Sequence, residues 1–498
     1  MIARRPALVL FVLAFMIAGC GGADAPNYSA QPAAIYVDGE GGDWTDLTGH
    51  LDADDGALDQ LWVAHSDQHL FLRLALNRSL NLQEGNDLTL FLDADDDSTT
   101  GQDTLGLGAE LSWTFGERAG RFEGTEVNHA DIGLTTLPTV QADTFEIALD
   151  RSATPGGASL LQNDSLRLVL SSGDDRLPDA GETIGYALPE ADLSIETPTL
   201  ARPDTDAVRL MSYNAVNNYD RELNSLFIDD RQPSYRRILG AIGPDVIGFQ
   251  EVYDQSAERV EATAEGTLGL AEEWHWAKEG RDLVLGSRFP ILDTHAIPGY
   301  EDYESGAFLL DSEDALGSRM IVINMHPPCC NYPANDDQPS SDAQRQRVVD
   351  GVAAFIRKVK NGEGPFGVPA QTPIVILGDM NFVGSAQQPR TLRTGEIINN
   401  DDFGSSAAPD WDGTSLLDTN PRQAHAPMHT TWIDAGSSFP PGRLDYAFVT
   451  DSVLDVAHEF VLHTPVLPDD ARQRHGLQSG DTNTASDHLP VVIDVQTP

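Results

Sequence analysis

Asp379 and Asn381 stand one residue apart in Pro373–Phe382 (P-I-V-I-L-G-D-M-N-F), directly after four apolar residues, Ile374 to Leu377. Such a run reads as a strand buried on both faces. Gly378 ends it. A strand that stops in Gly-Asp-x-Asn sets a carboxylate beside an amide at the edge of a sheet. That pair can hold a metal ion, a water or a phosphate oxygen, although the same letters also make an ordinary turn. Other stretches of the chain end in a comparable way, and they give the motif its weight.

Val208–Ser212 is a strand running into Tyr213-Asn214. Tyr235, Ile238, Leu239 and Ile242 lie on one face of a helix that Ser234 can cap, and Pro244-Asp245 breaks it. Val246–Phe249 is a second buried strand and leads to Gln250-Glu251. Met320–Asn324 ends at His326. A long helix over Ser341–Lys360 buries Val348, Val349, Val352, Phe355, Ile356 and Val359 at helical spacing. Asp445 alternates with apolar neighbours in Arg443–Val449, and Asp487-His488 precede a terminal strand, Val491–Val495. Strand ends thus present Asn214, Glu251, His326, Asp379 with Asn381, and Asp487 with His488.

The segments S-Y-N, F-Q-E-V, N-M-H, G-D-M-N-F, R-L-D-Y and S-D-H-L-P-V, in this order, resemble the endonuclease/exonuclease/phosphatase superfamily over essentially all of residues 207–496. The resemblance implies an α/β four-layer sandwich: two mixed sheets face to face, helices outside, the site at one edge. It implies hydrolysis of a phosphate ester by in-line attack of water, helped by Mg²⁺ or Mn²⁺. On that pattern Glu251 is the principal metal carboxylate, with Asn214 and Asp487 as direct or water-mediated ligands. His488 is oriented by Asp445, and either it or Asp379 serves as the base. Asn381 and His326 meet phosphate oxygens.

Composition bears on the substrate. The chain has 498 residues and a net charge of −47, from 54 Asp and 24 Glu against 28 Arg and only 3 Lys. A sequence-reading nuclease arranges Arg and Lys to meet phosphates, and an acidic surface repels polyanions at low salt. Asp excess with almost no Lys suits a protein working in salty water, where screening removes self-repulsion. A surface-anchored phosphodiesterase with extracellular DNA or RNA as leading substrate is the first expectation. A phospholipid (sphingomyelinase-like) or sugar-phosphate esterase is the alternative. A binding protein with an inert phosphatase-like domain is the alternative of another class. No obligate protein partner is expected.

At the start, Arg4 and Arg5 precede an apolar run from Ala7 to Ala18, too short to span a bilayer and shaped like a secretory signal. Ile17-Ala18-Gly19-Cys20 resembles the lipobox of bacterial lipoproteins, which implies a signal peptide over 1–19, a lipid on Cys20 and a tether over 20–34. The mature protein is then exported and attached to the membrane of the cell envelope by that lipid.

Residues 35–197 alternate in short segments (Leu61–His65, Leu70–Leu76, Leu88–Leu92, Glu110–Phe115, Phe145–Leu149, Leu166–Ser171) without a helical period, the pattern of an all-β sandwich. Its opening resembles carbohydrate-binding-like modules of secreted enzymes. Residues 198–206 read as a linker, and 207–498 as the catalytic domain. Asp93, Asp95, Asp97 and Thr99 alternate before Gly101, which suits a structural Ca²⁺; a solvated acidic turn is the other reading. Trp44, Trp62 and Trp113 are expected in the core rather than on a sugar.

Cys329 and Cys330 have no cysteine partner if Cys20 carries lipid. In an oxidising compartment a vicinal disulfide is expected, holding the turn after His326; two thiols packing as small apolar groups is the alternative. His295, His425, His429, His463 and His475 fall in no motif and are read as surface or loop histidines. Arg345 and Arg347 fall either on the face of the long helix that approaches the site or on a solvated face, and the solvated face is the preferred reading.

Overall fold

The computed structural model describes residues 28–52, 56–191, 193, 195–203, 206–218, 223–253, 255–270 and 273–498. The leader, Cys20 and the first part of the tether lie outside them. No helix among the described residues is long and apolar enough to cross a membrane.

Up to Ala191 the chain forms two antiparallel sheets. Leu58–His65, His69–Leu80 and Ala142–Asp150 make the centre of a five-stranded sheet. Thr89–Asp93, Leu111–Thr114 and Ser165–Ser172 make the centre of a seven-stranded one. Side chains alternate across a strand, so Leu70, Leu72 and Leu74 of one sheet meet Leu166, Leu168 and Leu170 of the other in a single core. Trp44 and Trp113 are buried at 1% exposure, and Trp62 carries the Arg73 guanidinium 4.6 Å above its ring. Trp44 and Trp113 are core residues as expected, whereas Trp62 is half-buried at the core's edge beneath Arg73. Short edge strands such as Ala119–Phe122 and Thr125–Val127 have too few residues to show a period.

From Val208 onward there are two six-stranded mixed sheets. In the first, the order is His275–Glu279, Leu283–Ser287, Val246–Gln250, Val208–Asn214, Val491–Gln496, Asp455–Val461. In the second it is Ile291–Tyr300, Tyr303–Leu310, Met320–Met325, Ile374–Asp379, Asp445–Val449, Leu417–Asp418. Each has one central parallel pair, Val208 with Val246 and Met320 with Ile374, flanked by antiparallel strands. Val208, Val246 and Leu285 from one sheet meet Phe308, Val322 and Val375 from the other in one apolar cluster. On its opposite face the first sheet packs on the Gln232–Ile242 helix, and the second packs on Ser341–Lys360.

Central strands enclosed on both faces are uniformly apolar, and this made them visible in sequence. The helix over Ser341–Lys360 has the expected bounds, with Ser340 accepting from Ala343 N at 3.2 Å as its cap. Ser234 is not a cap: the helix starts two positions earlier at Gln232, with Pro233 in its first turn. The Ser234 hydroxyl instead donates to Asp481 Oδ1 at 3.1 Å.

The two regions are joined along a polar and apolar seam. Val37 N donates to Pro427 O at 2.9 Å, Gln141 N to Gly384 O at 2.8 Å, and Thr139 Oγ1 to Phe382 O at 2.7 Å. Met428 enters the cluster of Ile35, Val37 and Phe71. The sandwich therefore touches the segment that follows Asp379.

Candidate active site

Strand register assembles the site. Parallel pairing sets Asn214 opposite Gln250, so Glu251 emerges one residue beyond it. In the other sheet Met325 lies opposite Gly378, so His326 and Asp379 leave the sheet together. Gly378 is required there: with φ of 146°, a Cβ would meet Met325 O at 2.1 Å. Antiparallel pairing puts Asp379 directly across from Asp445. Pairing of Ser212 with Val491 folds the preceding segment back over Asn214, and Ser486 Oγ donates to Asn214 O at 2.8 Å. The two sheets meet beneath the site through Gln250 Nε2, which donates to Asn324 Oδ1 at 2.7 Å.

Asp379 is the centre. Its Oδ2 lies 3.6 Å from Nε2 of both His326 and His488. Each ring is held from behind: His488 Nδ1 is 2.8 Å from Asp445 Oδ2, and His326 Nδ1 is 2.5 Å from Asp282 Oδ2. Glu251 Oε1 lies 3.9 Å from His326 Nε2. Glu251 and Asn381 both have left-handed backbone, with φ of 63° and 50°. Such conformations persist in non-glycine residues where the surroundings impose them, and they gather at functional sites.

These contacts set the protonation states. Burial pulls the His326 imidazole down, but Asp282, Asp379 and Glu251 outweigh it and hold the ring up at about 9. Burial acts the same way on His488, and Asp445 with Asp379 carries it well above the ordinary value. Burial pushes the Asp379 carboxyl up to about 6 against the pull of both rings. The site therefore offers two cationic imidazoles flanking a carboxylate.

Two amides hold the acids in place. Asn214 turns its nitrogen to the carboxylates, donating to Asp379 Oδ2 at 3.0 Å and Glu251 Oε1 at 3.2 Å, while its oxygen accepts from Val216 N. It bridges the two acids. Asn381 Nδ2 gives its hydrogens to Pro327 O at 3.1 Å and Asp379 Oδ2 at 3.2 Å, which fixes the carboxylate. Asp487 accepts from Trp432 Nε1 at 3.0 Å. The tightest potential ligand group here is Asp379, Asp445 and His488, and Asp445 Oδ1 is buried without a hydrogen-bond partner.

In the sandwich the alternating acids also rearrange. Asp93 and Asp95 converge with Glu110, not with Asp97 and Thr99. Asp97 is instead spent on a local turn, accepting from Thr99 N at 3.0 Å and Thr99 Oγ1 at 2.7 Å. Asp93 Oδ2 is buried and has no hydrogen-bond partner. Cys329 and Cys330 are free thiols with sulfurs 2.7 Å apart, so the expected bridge is not formed in this structure.

Asp282 escaped the sequence reading, although it stands at a strand end beside Glu251 in the same way as the residues that were found. Arg345 is fully buried and donates to Pro328 O at 3.1 Å and to Cys330 O, fixing the turn after His326. Arg347, by contrast, pairs with Asp402 on the surface. His429 and His463 are buried at 7% and 9% exposure rather than on the surface.

The site opens into a cavity of ≈ 240 Å³. Glu251, Asp379, Asn381, Asp487 and His488 line it together with Cys329, Cys330, Asn331, Trp432 and Phe439. Asn81, Gln83, Glu84 and Thr139 of the sandwich complete the lining. No described lining residue is Lys or Arg. A larger groove of ≈ 690 Å³ between the two regions, beside His69 and His129, contains none of the motif residues.

A sequence model of the Endonuclease/Exonuclease/phosphatase family matches residues 224–488. No curated protein matches the chain by sequence. Among solved structures, the chain is similar to ANGEL2, a 2',3'-cyclic phosphatase, at 16% identity and TM-score 0.37, covering 58% of this chain and 96% of that one. It is similar to sphingomyelinase C from Streptomyces griseocarneus at 15% identity and TM-score 0.35, covering 58% and 99%. It is also similar to a mannosyl-6-phosphatase from Bacteroides thetaiotaomicron at 16% identity and TM-score 0.32, covering 58% and 99%.

Proposed function

Because the chain belongs to the endonuclease/exonuclease/phosphatase family, we propose that it is a divalent-metal-dependent phosphoesterase acting on a small ester. One observation carries the metal requirement. Glu251, Asp282, Asp379, Asp445 and Asp487 surround two imidazoles, and the cavity that Glu251, Asp379, Asp487 and His488 line has no Lys or Arg among its described lining residues. Even with both rings protonated the site keeps surplus negative charge, which opposes a phosphate unless a cation is present. The carboxylate-rich donor set fits Mg²⁺ or Mn²⁺.

Glu251 and Asp487 would hold the ion, with Asp379 at hand. When bound, the ion supplies Lewis-acid stabilisation of the phosphoryl oxygens and leaving group. His326 and His488, fixed through Nδ1 by Asp282 and Asp445, donate from Nε2 to phosphoryl oxygens. Asp379, oriented by Asn214 and Asn381, takes the proton of the attacking water. The water oxygen bonds to phosphorus as the P–O bond to the alcohol breaks, and the departing alkoxide takes its proton from the His326 or His488 imidazolium.

DNA or RNA, the first expectation from sequence, is disfavoured because flanking phosphates need basic partners that the cavity lining does not offer. Export and lipid attachment at Cys20 remain part of the proposal and rest on Arg4, Arg5, the apolar run Ala7–Ala18 and Ile17–Cys20. In the sandwich, Asp93, Asp95 and Glu110 would hold a structural Ca²⁺.

The test is hydrolysis of p-nitrophenyl phosphate and bis-p-nitrophenyl phosphate with Mg²⁺ or Mn²⁺ and with chelator. Chelator should abolish turnover, and Glu251→Gln should lower kcat/KM by about a hundredfold or more. Turnover that survives both would refute the metal mechanism.

A further inference from the structure

We propose that the turn Asn81–Glu84 of the sandwich forms, with Asn331 and Trp432, the leaving-group subsite of this cavity. It selects a small, uncharged, polyhydroxylated alcohol. The proposal rests on the phosphoesterase reading above and gives that site its substrate class.

The turn is built into the site rather than lying over it. Asn81 Nδ2 donates to Val383 O at 3.1 Å, two residues beyond Asn381. Gln83 N donates to Asn81 Oδ1 at 3.0 Å, and Asn86 Nδ2 ties down Asn81 O and Leu82 O at 2.8 Å each. Leu82 is anchored in the sandwich core. Arg118 locks the turn from behind: its Nη1 donates to Gln83 O at 2.7 Å and lies 3.5 Å from Glu84 Oε1, and its guanidinium sits 4.1 Å over the Phe439 ring. From the catalytic side Asn331 Nδ2 donates to Glu84 Oε2 at 2.9 Å. Both regions therefore converge on one carboxylate at the cavity wall.

The chemistry of that wall limits what can leave. Gln83 Nε2 donates to Thr136 Oγ1 at 3.1 Å and Asn331 Nδ2 to Glu84, which leaves the second amide hydrogens and the amide oxygens of Gln83 and Asn331, beside Glu84, as donors and acceptors that match hydroxyl groups. Trp432 offers an apolar surface for C–H groups beside them. No Lys or Arg among the described lining residues receives an anionic leaving group, which disfavours an alcohol carrying further phosphates. A cavity of ≈ 240 Å³ is below the usual size for drug-sized ligands, and its polar wall does not suit a lipid chain. Arg118 both neutralises Glu84 and covers Phe439, which removes the open aromatic cage that a quaternary ammonium group would need.

The experiment uses the full chain with Mg²⁺ and five probes: glucose 6-phosphate, glycerol 2-phosphate, phosphoethanolamine, a dithymidine phosphodiester and p-nitrophenyl phosphate. The parent protein should prefer glucose 6-phosphate or glycerol 2-phosphate over phosphoethanolamine and the dinucleotide. Glu84→Gln should lower the ratio of kcat/KM for glucose 6-phosphate to that for p-nitrophenyl phosphate by about tenfold, chiefly through KM. Asn331→Ala, at an exposed position where folding is not at risk, should lower the ratio in the same direction. An unchanged ratio in both variants would overturn the subsite, as would preference for phosphoethanolamine or the dinucleotide. If the parent protein fails on p-nitrophenyl phosphate and every other probe, the phosphoesterase reading falls and the subsite with it.

Discussion

Asp282 Oδ2 lies 2.5 Å from His326 Nδ1, and the same oxygen accepts the Glu251 amide hydrogen at 3.2 Å. One carboxylate thus orients an imidazole and the backbone of the expected metal ligand. The pair repeats, on the other side of Asp379, the relationship between Asp445 and His488. Asp282→Asn should keep the fold but remove the charge that most offsets the cost of burying the imidazolium. The His326 ring, held at about 9 in the parent, should then titrate at lower pH, and kcat should fall about a hundredfold. NMR titration of the metal-free protein checks the first and steady-state kinetics the second. An unmoved ring titration would refute the role given to Asp282.

Two buried histidines predict acid lability. His463 Nδ1 faces Gln423 Oε1 at 2.9 Å and His429 Nδ1 faces Asn420 O at 2.7 Å, both neutral acceptors. Burial lowers His463 to about 4 and His429 to about 3. These folded values lie below the unfolded one, so the unfolded chain takes up protons first as pH falls. The stability is present above about pH 6.5 and is lost on descent toward the folded values, at about 2 kcal/mol for each ring by about pH 5. Urea unfolding at neutral and mildly acid pH should show the loss, and His463→Gln should reduce it. Identical pH dependence in parent and variant would rule His463 out.

The thiol pair gives a redox prediction. The Cys329 thiol bonds to the Cys330 sulfur and holds Cys330 down to about 6, well below an ordinary thiol. Reduced protein should therefore be alkylated first at Cys330. Oxidised glutathione should remove two hydrogens from the intact mass as the neighbouring sulfurs close on each other. Stable glutathione adducts on both cysteines would sink the idea.

The acid cluster of the sandwich predicts a calcium-dependent melting temperature. Asp93 is fully buried, and burial together with Glu110 and Asp95 pushes its carboxyl up to about 6. A cation would relieve that repulsion. Added Ca²⁺ should raise the Tm by roughly 2–4 °C for each kcal/mol of binding. Asp93→Asn should erase the rise, whereas Asp97→Asn should leave it. Loss of the rise with Asp97→Asn alone would restore the arrangement expected from sequence.

The central strands and the long helix were legible because their apolar patterns are local. Val246–Gln250 and Ile374–Asp379 read as uninterrupted apolar runs, and Ser341–Lys360 shows its buried face at helical spacing. The motif letters around Glu251, His326, Asp379, Asp445 and His488 were equally plain, since each follows or interrupts such a run. Asp282 had the same signal and was passed over because no recognised segment contained it.

Tertiary structure alone decided what those letters do. Whether Asn214 offers oxygen or nitrogen depends on Val216 N taking its oxygen, a contact no spacing encodes. Glu110 replaces Asp97 at the acid cluster because strand pairing of Thr89–Asp93 with Leu111–Thr114 brings it there. Asn81 and Glu84 reach the cavity across chain separations of 302 and 247 residues, through the Val383 and Asn331 contacts. Local patterns fix which segments become strands and helices. Register and docking, which depend on the summed complementarity of distant surfaces, fix which side chains meet.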